Sequence, residues 1–286
     1  MEVNNLKEKY LSNKIIAKYS DYLKKEEKTQ NTVEKYIRDI KKFKKFLNSQ
    51  IISKEKVIEY KNYLLSENYA ISSINSMIAS INSLFSFIGC DEYKVKSIKQ
   101  QHSIFCPKEK ELTEEEYKRL IYTAESIGNH RLKVIIETIC GTGIRVSELK
   151  YITVESVKLG QVVVMLKGKT RTIFIVRKLQ KILLKYAFQQ GIRSGEIFVT
   201  RNGKSINRTN IWREMKKLCK QACVEPQKVF PHNLRHLFAK IFYSIDKNIS
   251  MLADILGHSS INTTRLYIIS SGIEHRKCME KMHLII

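Results

Sequence analysis

The sequence predicts a mainly α-helical protein of two domains, a bundle of four helices followed by a mostly helical domain with a small antiparallel sheet. Apolar residues recur at helical spacing through most of the chain, and one convincing β pattern occurs. Between the two helical regions the periodicity is lost. At roughly 150 residues per domain, the 286 residues suffice for two domains, which we place at 1–94 and 111–286 with a linker at 95–110.

Four amphipathic helices are expected in the first domain. Their apolar positions follow the spacing that places side chains on one helix face. The helices are expected around residues 12–26, 33–47, 53–65 and 74–88. Asn31 and Glu34 have the spacing of a capping pair, so the second helix is expected to begin there. Because the connections are short and polar, we expect the helices to pack as one bundle.

The second domain is predicted to begin with a helix capped by Thr113, because Glu116 follows at the spacing of a capping box. A β-hairpin is expected later, with strands at 161–165 and 172–176 and a tight basic turn at 167–171. Further helical patterns occur at about 131–140, 177–190, 207–222 and from Asn233 onward. The sheet is therefore expected to be one small hairpin among helices.

The chain carries a strong positive charge. Its 51 Lys and Arg residues against 28 Asp and Glu residues leave a net charge of +23, spread over both domains. Such an excess predicts a polyanionic partner, of which nucleic acid is the first candidate. The longest apolar runs fall short of the roughly 20 residues of a membrane span, and no signal peptide is visible at the N-terminus. We therefore expect a cytoplasmic protein that binds no membrane.

The six cysteines show no metal-ligand pattern. Cys219 and Cys223 lie close together, but no second pair or histidine follows at the spacing of a zinc site. Scattered buried thiols in a reducing compartment explain them better. We expect neither a metal nor a cofactor.

Two short motifs in the second domain supply arginines. GTGIRVSEL at 141–149 places Arg145 at a helix start, without the Lys-Ser or Lys-Thr of a nucleotide P-loop. HNLRH at 232–236 places His232 and Arg235 on one helix face, where both can contact one anion. A zinc-protease helix would have Glu as the second residue of this motif, where this chain has Asn.

Two further motifs supply a histidine, a tyrosine and lysines. In LGHSSINTTRLY at 256–267, Gly257 is expected to end a helix, His258 to lie in an exposed turn, and Tyr267 to lie two turns into the next helix. LKGKTR at 166–171 forms the basic hairpin turn. Arginines, a lysine, histidines and a tyrosine without an acidic pair suit metal-free phosphoryl transfer with a side-chain nucleophile.

In these four motifs the chain resembles the tyrosine recombinases, also called phage-type integrases, and most closely their compact Xer-like members. Order and spacing agree over residues 141–267. The resemblance implies a SAM-like first domain that clamps DNA and a second, catalytic domain. It implies a site-specific recombinase, as encoded by bacterial mobile elements, that cuts and rejoins DNA through a covalent 3′-phosphotyrosyl intermediate.

The resemblance also implies a role for each site residue. Tyr267 would be the nucleophile, and His232 would take its proton. Arg145 and Arg235 would bind the scissile phosphate and stabilise the transition state. His258 would donate a hydrogen bond to a non-bridging oxygen.

The basic hairpin is expected to supply the general acid. By its position at the strand end, Lys167 would protonate the leaving 5′-oxygen. The hairpin departs from the usual Xer-like pattern around its two lysines, so Lys169 stays open as an alternative acid. Lys169 and Arg171 are expected to contact DNA.

The implied partners are a double-stranded DNA recombination site, further copies of the chain in a tetramer, and candidate accessory recombination proteins. Apolar residues near the C-terminal end, among them Met279 and Leu284, predict that this tail docks on a neighbouring subunit. Two other functions stay open at this point: a DNA-relaxing enzyme similar to type IB topoisomerases, and a catalytically idle DNA-binding accessory protein.

Overall fold

The chain folds into two units, Met1–His102 and Ser103–Ile286, and each has its own hydrophobic core. The computed structural model describes residues 10–99, 111–166, 169–200, 202–258 and 260–268. Helices dominate both units, and one two-stranded sheet occurs within these described ranges. The predicted fold class is confirmed.

The first unit is a bundle of four α-helices. They are α1 (Asn13–Lys25), α2 (Gln30–Leu47), α3 (Lys54–Ser66) and α4 (Ile71–Ile88). Their apolar faces meet in a core that encloses the ring of Tyr19. The predicted capping pair of Asn31 and Glu34 is wrong. Thr29 is the N-cap residue of α2, and Glu34 instead accepts a hydrogen bond from the side chain of Gln30, one turn earlier.

Helix α4 is the one helix in the described part of the chain that is long and apolar enough to cross a membrane by length and composition. Its Ile74, Ile78 and Ile81 are fully buried in the core of the first unit. The helix packs against α2 and α3. Its apolar residues are therefore those of a core helix in a bundle.

An extended segment follows the bundle and is hydrogen-bonded along α4. The side-chain amide of Asn82 donates to the carbonyl of Val95 at 2.9 Å and accepts from its N–H at 3.2 Å. Asn75 exchanges the same pair of bonds with Ile98, at 2.9 and 2.8 Å. The two side-chain amides thus pair with backbone N–H and C=O groups that a neighbouring strand would otherwise satisfy. The first residues of the predicted linker are thus fastened to the bundle, while residues 100–110 lie outside the described ranges.

The second unit contains eight α-helices and one β-hairpin in its described residues. They are α5 (Glu114–Ser126), α6 (His130–Thr142), α7 (Val154–Leu159), β1 (Gln161–Leu166), β2 (Lys169–Phe174), α8 (Arg177–Gln189), α9 (Arg208–Gln221), α10 (Pro231–Ile245), α11 (Ile249–Leu256) and α12 (Ile261–Ile268). Helix α6 is central, with α5, α8 and α10 packed against it and its Ile135 and Ile139 fully buried. The predicted capping box is confirmed, because Thr113 and Glu116 each accept from the other's N–H.

The strands extend further toward the turn than predicted, whereas β2 ends at Phe174 and not at residue 176. Strands β1 and β2 pair as far as Leu166 opposite Lys169, so the tight turn expected at 167–171 is wrong. Residues directly opposite each other in an antiparallel pair share one face of the sheet. Arg171 lies opposite Val164, which is buried, and therefore points toward the interior.

The cysteines are scattered through both units. Cys90 and Cys219 are buried and Cys140 is half-buried, whereas Cys223 is exposed, in contrast to the expectation. The other two lie outside the described residues. Within the described ranges, no group of three or more His, Cys, Asp or Glu side chains is placed to hold a metal ion.

We expect a double variant, Asn75→Ala with Asn82→Ala, to release residues 95–98 from α4. Four hydrogen bonds are lost. Since each contributes about 1 kcal/mol, amide exchange in the segment should become at least about tenfold faster. Hydrogen–deuterium exchange measures this rate. Ser72→Ala, on an exposed position of α4, is the control and should leave it unchanged. Equal exchange in the double variant and the wild type would contradict the assigned contacts.

Candidate active site

Five of the six predicted catalytic side chains lie together in the second unit. Arg145 follows the end of α6 and begins a short 3-10 helix. His232 and Arg235 lie in the first turns of α10, which begins at a proline. His258 connects α11 to α12, and Tyr267 lies near the end of α12. Three segments far apart in sequence thus build one site.

Arg235 is at the centre of this site. Its side chain is 1% exposed, and its guanidinium donates to the carbonyl of Gly143 and, at 2.6 Å, to that of Leu256. These carbonyls lie at the C-terminal ends of α6 and α11, where C=O groups lack a helical partner and carry partial negative charge. Burial and the charges of Arg145 and Arg171 lower the pKa of Arg235 to about 10, so it stays charged at neutral pH.

One buried carboxylate holds the other two guanidinium groups. Glu148 is 0% exposed, and its two oxygens accept from Arg145, at 3.0 Å, and from Arg171. Arg145 also donates to the carbonyl of Gly257 at 3.2 Å, and Arg171 to that of Ile255 at 2.6 Å. Three guanidinium groups thus lie near one carboxylate, and two of them bind it. Their excess of positive charge makes the site a receptor for an anion.

Two glycines allow these close approaches. Gly143 has φ +63°, and a Cβ there would lie 2.6 Å from the ring of Phe238. Gly257 has φ +62°, and a Cβ there would lie 2.3 Å from Cδ of Arg171. Only glycine combines this left-handed conformation with the missing side chain. The predicted helix end at Gly257 is therefore confirmed.

Three imidazole rings surround the phenol of Tyr267. Its hydroxyl oxygen lies 3.1 Å from Nε2 of His232. Its ring stacks on that of His236, with 3.9 Å between centroids and 15° between planes, and lies 4.9 Å from that of His258. Cζ of Arg235 lies 5.9 Å from the phenol ring. The hydroxyl therefore has a nitrogen that can accept its proton and a cation close by.

Burial and the nearby guanidinium groups favour neutral imidazoles. Burial lowers the pKa of His236 to about 4, with smaller contributions from His232 and Arg235. Burial, followed by the charges of Arg235 and Arg145, lowers the pKa of His258 to about 4. The pKa of His232 is lowered by burial of its ring and then by the charges of Arg235 and Arg145. A neutral imidazole has one nitrogen free to accept a proton, as a base for the phenol must.

The structure corrects the predictions for two residues. His258 is half-buried instead of exposed. Arg171 is not available for DNA contact from a turn, because its side chain is 10% exposed and bound to Glu148. It joins the hairpin to the corner between α11 and α12. Lys167 and the side chain of Lys169 lie outside the described parts of the structure, so their roles stay predictions.

Three residues of the site had no assigned role from the sequence. Glu148 follows Arg145 by one helical turn, a spacing that indicates an ion pair. His236 follows His232 at the spacing of two zinc ligands, but it stacks on the tyrosine. Thr264 is fully buried on α12, and no sequence pattern distinguishes it from its exposed neighbour on that helix.

Two family models match the chain, one in each unit. The phage integrase family matches residues 110–272, more than half of the chain, and the phage integrase N-terminal SAM-like domain matches residues 16–89. The chain belongs to the phage integrase family. The first match contains every described residue of the site, and the second covers most of the four-helix bundle.

Other members of the family are similar along nearly their whole length. Tyrosine recombinase XerA of Pyrococcus furiosus is 28% identical over 98% of both chains. Tyrosine recombinase XerD of Staphylococcus epidermidis is 28% identical over 95% of this chain and 99% of its own. The Tn1549 transposon integrase, solved in complex with transposon right end DNA, shares the fold, with a TM-score of 0.71 at 14% identity over 95% of this chain and 99% of its own. As a member of this family, the chain is a tyrosine-type site-specific DNA recombinase.

Glu148→Gln is expected to lower the free energy of unfolding by about 3–5 kcal/mol, because it leaves the buried Arg171 without its charged partner. Urea denaturation of the full chain measures this. Glu114→Gln, at an exposed position of α5, should cost less than about 1 kcal/mol. A second substitution, Arg171→Met, removes the unpaired charge and should restore at least half of the loss in the Glu148→Gln background. No recovery in that double variant would contradict the ion pair.

The free energy of unfolding is expected to fall as the pH drops from about 6.5 to about 4. In this window the unfolded chain protonates His236 and His258, whereas their folded pKa values are about 4. The loss amounts to at most about 1.4 kcal/mol per pH unit for each histidine. His236→Phe keeps an aromatic ring on Tyr267 and should flatten the pH dependence, whereas His130→Gln, at an exposed position, should not. Identical slopes for the wild type and His236→Phe would refute this origin.

Proposed function

We propose that this recombinase cuts and rejoins double-stranded DNA at a specific site through a covalent 3′-phosphotyrosyl intermediate. The observation that carries the proposal is the hydroxyl of Tyr267, 3.1 Å from His232, with the guanidinium of Arg235 at the ring. A tyrosine, whose ordinary pKa is about 10, needs a base and nearby positive charge to attack at neutral pH. The base contacts this hydroxyl, and the positive charge lies at its ring.

In the proposed cleavage step, the phenolic oxygen of Tyr267 forms a bond to the scissile phosphorus. Its proton passes to Nε2 of His232, and the bond from phosphorus to the 5′-oxygen breaks. Lys167 would supply the proton that this oxygen takes, with Lys169 as the alternative donor. The phosphotyrosine ester conserves the energy of the phosphodiester bond. The reverse attack by a 5′-hydroxyl therefore rejoins DNA without ATP.

Arg145, Arg235 and His258 would hold the phosphate. The excess of guanidinium groups over the one carboxylate supports this role. The Nε–H of Arg235 is also buried without an acceptor among the described residues, so this guanidinium keeps one unused donor. Charge that develops on the phosphoryl oxygens in the transition state would thus meet donors already in place.

The two units would have different roles on DNA, one in binding and one in catalysis. We assign residues 1–94 to DNA clamping, 95–110 to the linker and 111–286 to catalysis, in a cytoplasmic enzyme of a bacterial mobile element. The charge of +23 and the DNA-bound transposon integrase of the same fold support a double-stranded DNA partner. Recombination would occur in a tetramer, with accessory proteins as candidate partners. Tail docking between subunits also stays a proposal, since residues 269–286 lie outside the described ranges.

Neither alternative function is favoured. The relatives named above are recombinases and a transposon integrase, and none is a topoisomerase. An idle DNA-binding protein has no need for a tyrosine hydroxyl in contact with a base.

The test is covalent capture of DNA. Wild type, Tyr267→Phe and the control Tyr122→Phe, at an exposed position of the same unit, are incubated in EDTA with nicked suicide duplexes tiled from DNA that flanks the gene. SDS-stable adducts are expected for the wild type and the control and are expected to be absent from Tyr267→Phe. Loss of the nucleophile should reduce adduct formation at least about a thousandfold.

Two other outcomes would contradict the proposed function or its nucleophile. An adduct that survives in Tyr267→Phe would overturn the assignment of the nucleophile. Tight DNA binding by the wild type without any adduct would favour the idle accessory protein.

A further inference from the structure

Thr264 connects the helix of the proposed nucleophile to the neighbouring histidine. It is 0% exposed and lies one helical turn before Tyr267 on α12. Its hydroxyl oxygen lies 2.9 Å from Nδ1 of His258. One buried hydroxyl therefore ties the corner between α11 and α12 to the helix that carries the tyrosine.

The second nitrogen of His258 determines where the proton of the ring lies. Nε2 is 3.1 Å from Nη2 of Arg235. A guanidinium has N–H donors and no acceptor, so Nε2 must accept in this contact. A neutral ring then carries its proton on Nδ1, and Nδ1–H donates to the hydroxyl of Thr264. The contact with Arg235 thus selects the Nδ1–H tautomer, and the hydroxyl of Thr264, which can donate or accept, supplies the acceptor that this tautomer needs.

The charges around His258 keep this ring neutral in the free protein. Besides burial, Arg235, Arg145, Arg171 and His232 lower its pKa, which is about 4. A neutral imidazole has one N–H, so the choice of nitrogen decides what the ring offers to the phosphate site. Without the hydroxyl of Thr264, Nδ1–H would have no described acceptor, and the ring would lose its tie to α12.

We propose that Thr264 is a positioning residue that accepts from Nδ1–H of His258 and so holds the ring with Nε2 directed toward the phosphate site. The same bond sets the position of His258 relative to the helix of Tyr267. The proposal rests on the function proposed above. When DNA binds, Nε2 takes a proton from solvent, gives up its contact with Arg235 and donates a hydrogen bond to a phosphate oxygen, while Nδ1–H keeps its bond to Thr264.

The first test is nitrogen-15 NMR of the full-length chain, labelled at histidine and free of DNA, at neutral pH. Spectra of the wild type, Thr264→Ser and Thr264→Val are compared. The wild type and the serine variant are expected to carry the His258 proton on Nδ1. The valine variant keeps the shape but leaves Nδ1–H without an acceptor, so its Nδ1–H proton is expected to move upfield and to exchange faster with water. An unchanged Nδ1–H signal in this variant would contradict the bond to Thr264. A proton on Nε2 in the wild type would overturn the proposal.

The second test is the rate of covalent cleavage at saturating suicide duplex. Thr264→Val is expected to cleave about 10- to 100-fold more slowly, the usual loss when a partner that orients a functional histidine is removed. Its affinity for DNA should be unchanged, because the phosphate contacts remain. Thr264→Ser should stay close to the wild type. The control is Thr263→Val, at an exposed position of the same helix, which should have no effect.

Three further outcomes would overturn the proposal, and a fourth concerns the proposed function. Wild-type cleavage by Thr264→Val would overturn it. So would equal losses in the serine and valine variants, or a fall in melting temperature that accounts for the loss in rate, since these indicate packing alone. If no protein forms an adduct with any duplex, the proposed function fails. The Nδ1–H signal in the free chain still decides whether Thr264 holds His258.

Discussion

The site depends on the way three guanidinium groups, of which that of Arg145 is partly exposed, are held close together in the second unit. Like charges repel, and buried charges need partners. Here the partners are the buried carboxylate of Glu148 and the free carbonyl groups at the ends of α6 and α11. Arg235 joins the ends of two helices, and Arg145 and Arg171 share Glu148. The contacts that hold these cations in place are therefore also contacts that pack the helices and the hairpin of the second unit together.

Other features of the site follow from this cluster. Position 257 requires glycine, because the side chain of Arg171 occupies the space that a Cβ would take. The imidazoles of His236 and His258 are neutral because burial and these cations disfavour another positive charge. The phenol of Tyr267 lies among them, beside a ring that can accept its proton. The site is thus organised to receive an anion, and in the proposed function the electrostatic part of catalysis would need little rearrangement.

Local patterns allowed much of the fold to be predicted. The capping box at Thr113 and the helix end at Gly257 occur as expected, because each depends on residues within one turn of the chain. The capping pair at Asn31 was wrong because Thr29 provides a competing start two residues earlier. The basic turn was predicted too long because polar residues in a strand look like turn residues when their partner strand is unknown. Pairing with Val164 makes Arg171 an interior residue.

The helical class, the family and five of the described site residues could be predicted from the sequence, because they depend on periodicity and on spacing within short motifs. The partners of the arginines in the site could not be predicted, because they depend on tertiary contacts. Arg171 bonds to Glu148 across 23 positions, and Arg235 to Gly143 across 92. Such contacts depend on how the helix ends and the hairpin pack, which periodicity along the chain does not encode. For the same reason Thr264 resembles its exposed neighbour in sequence, and only its burial beside His258 distinguishes it.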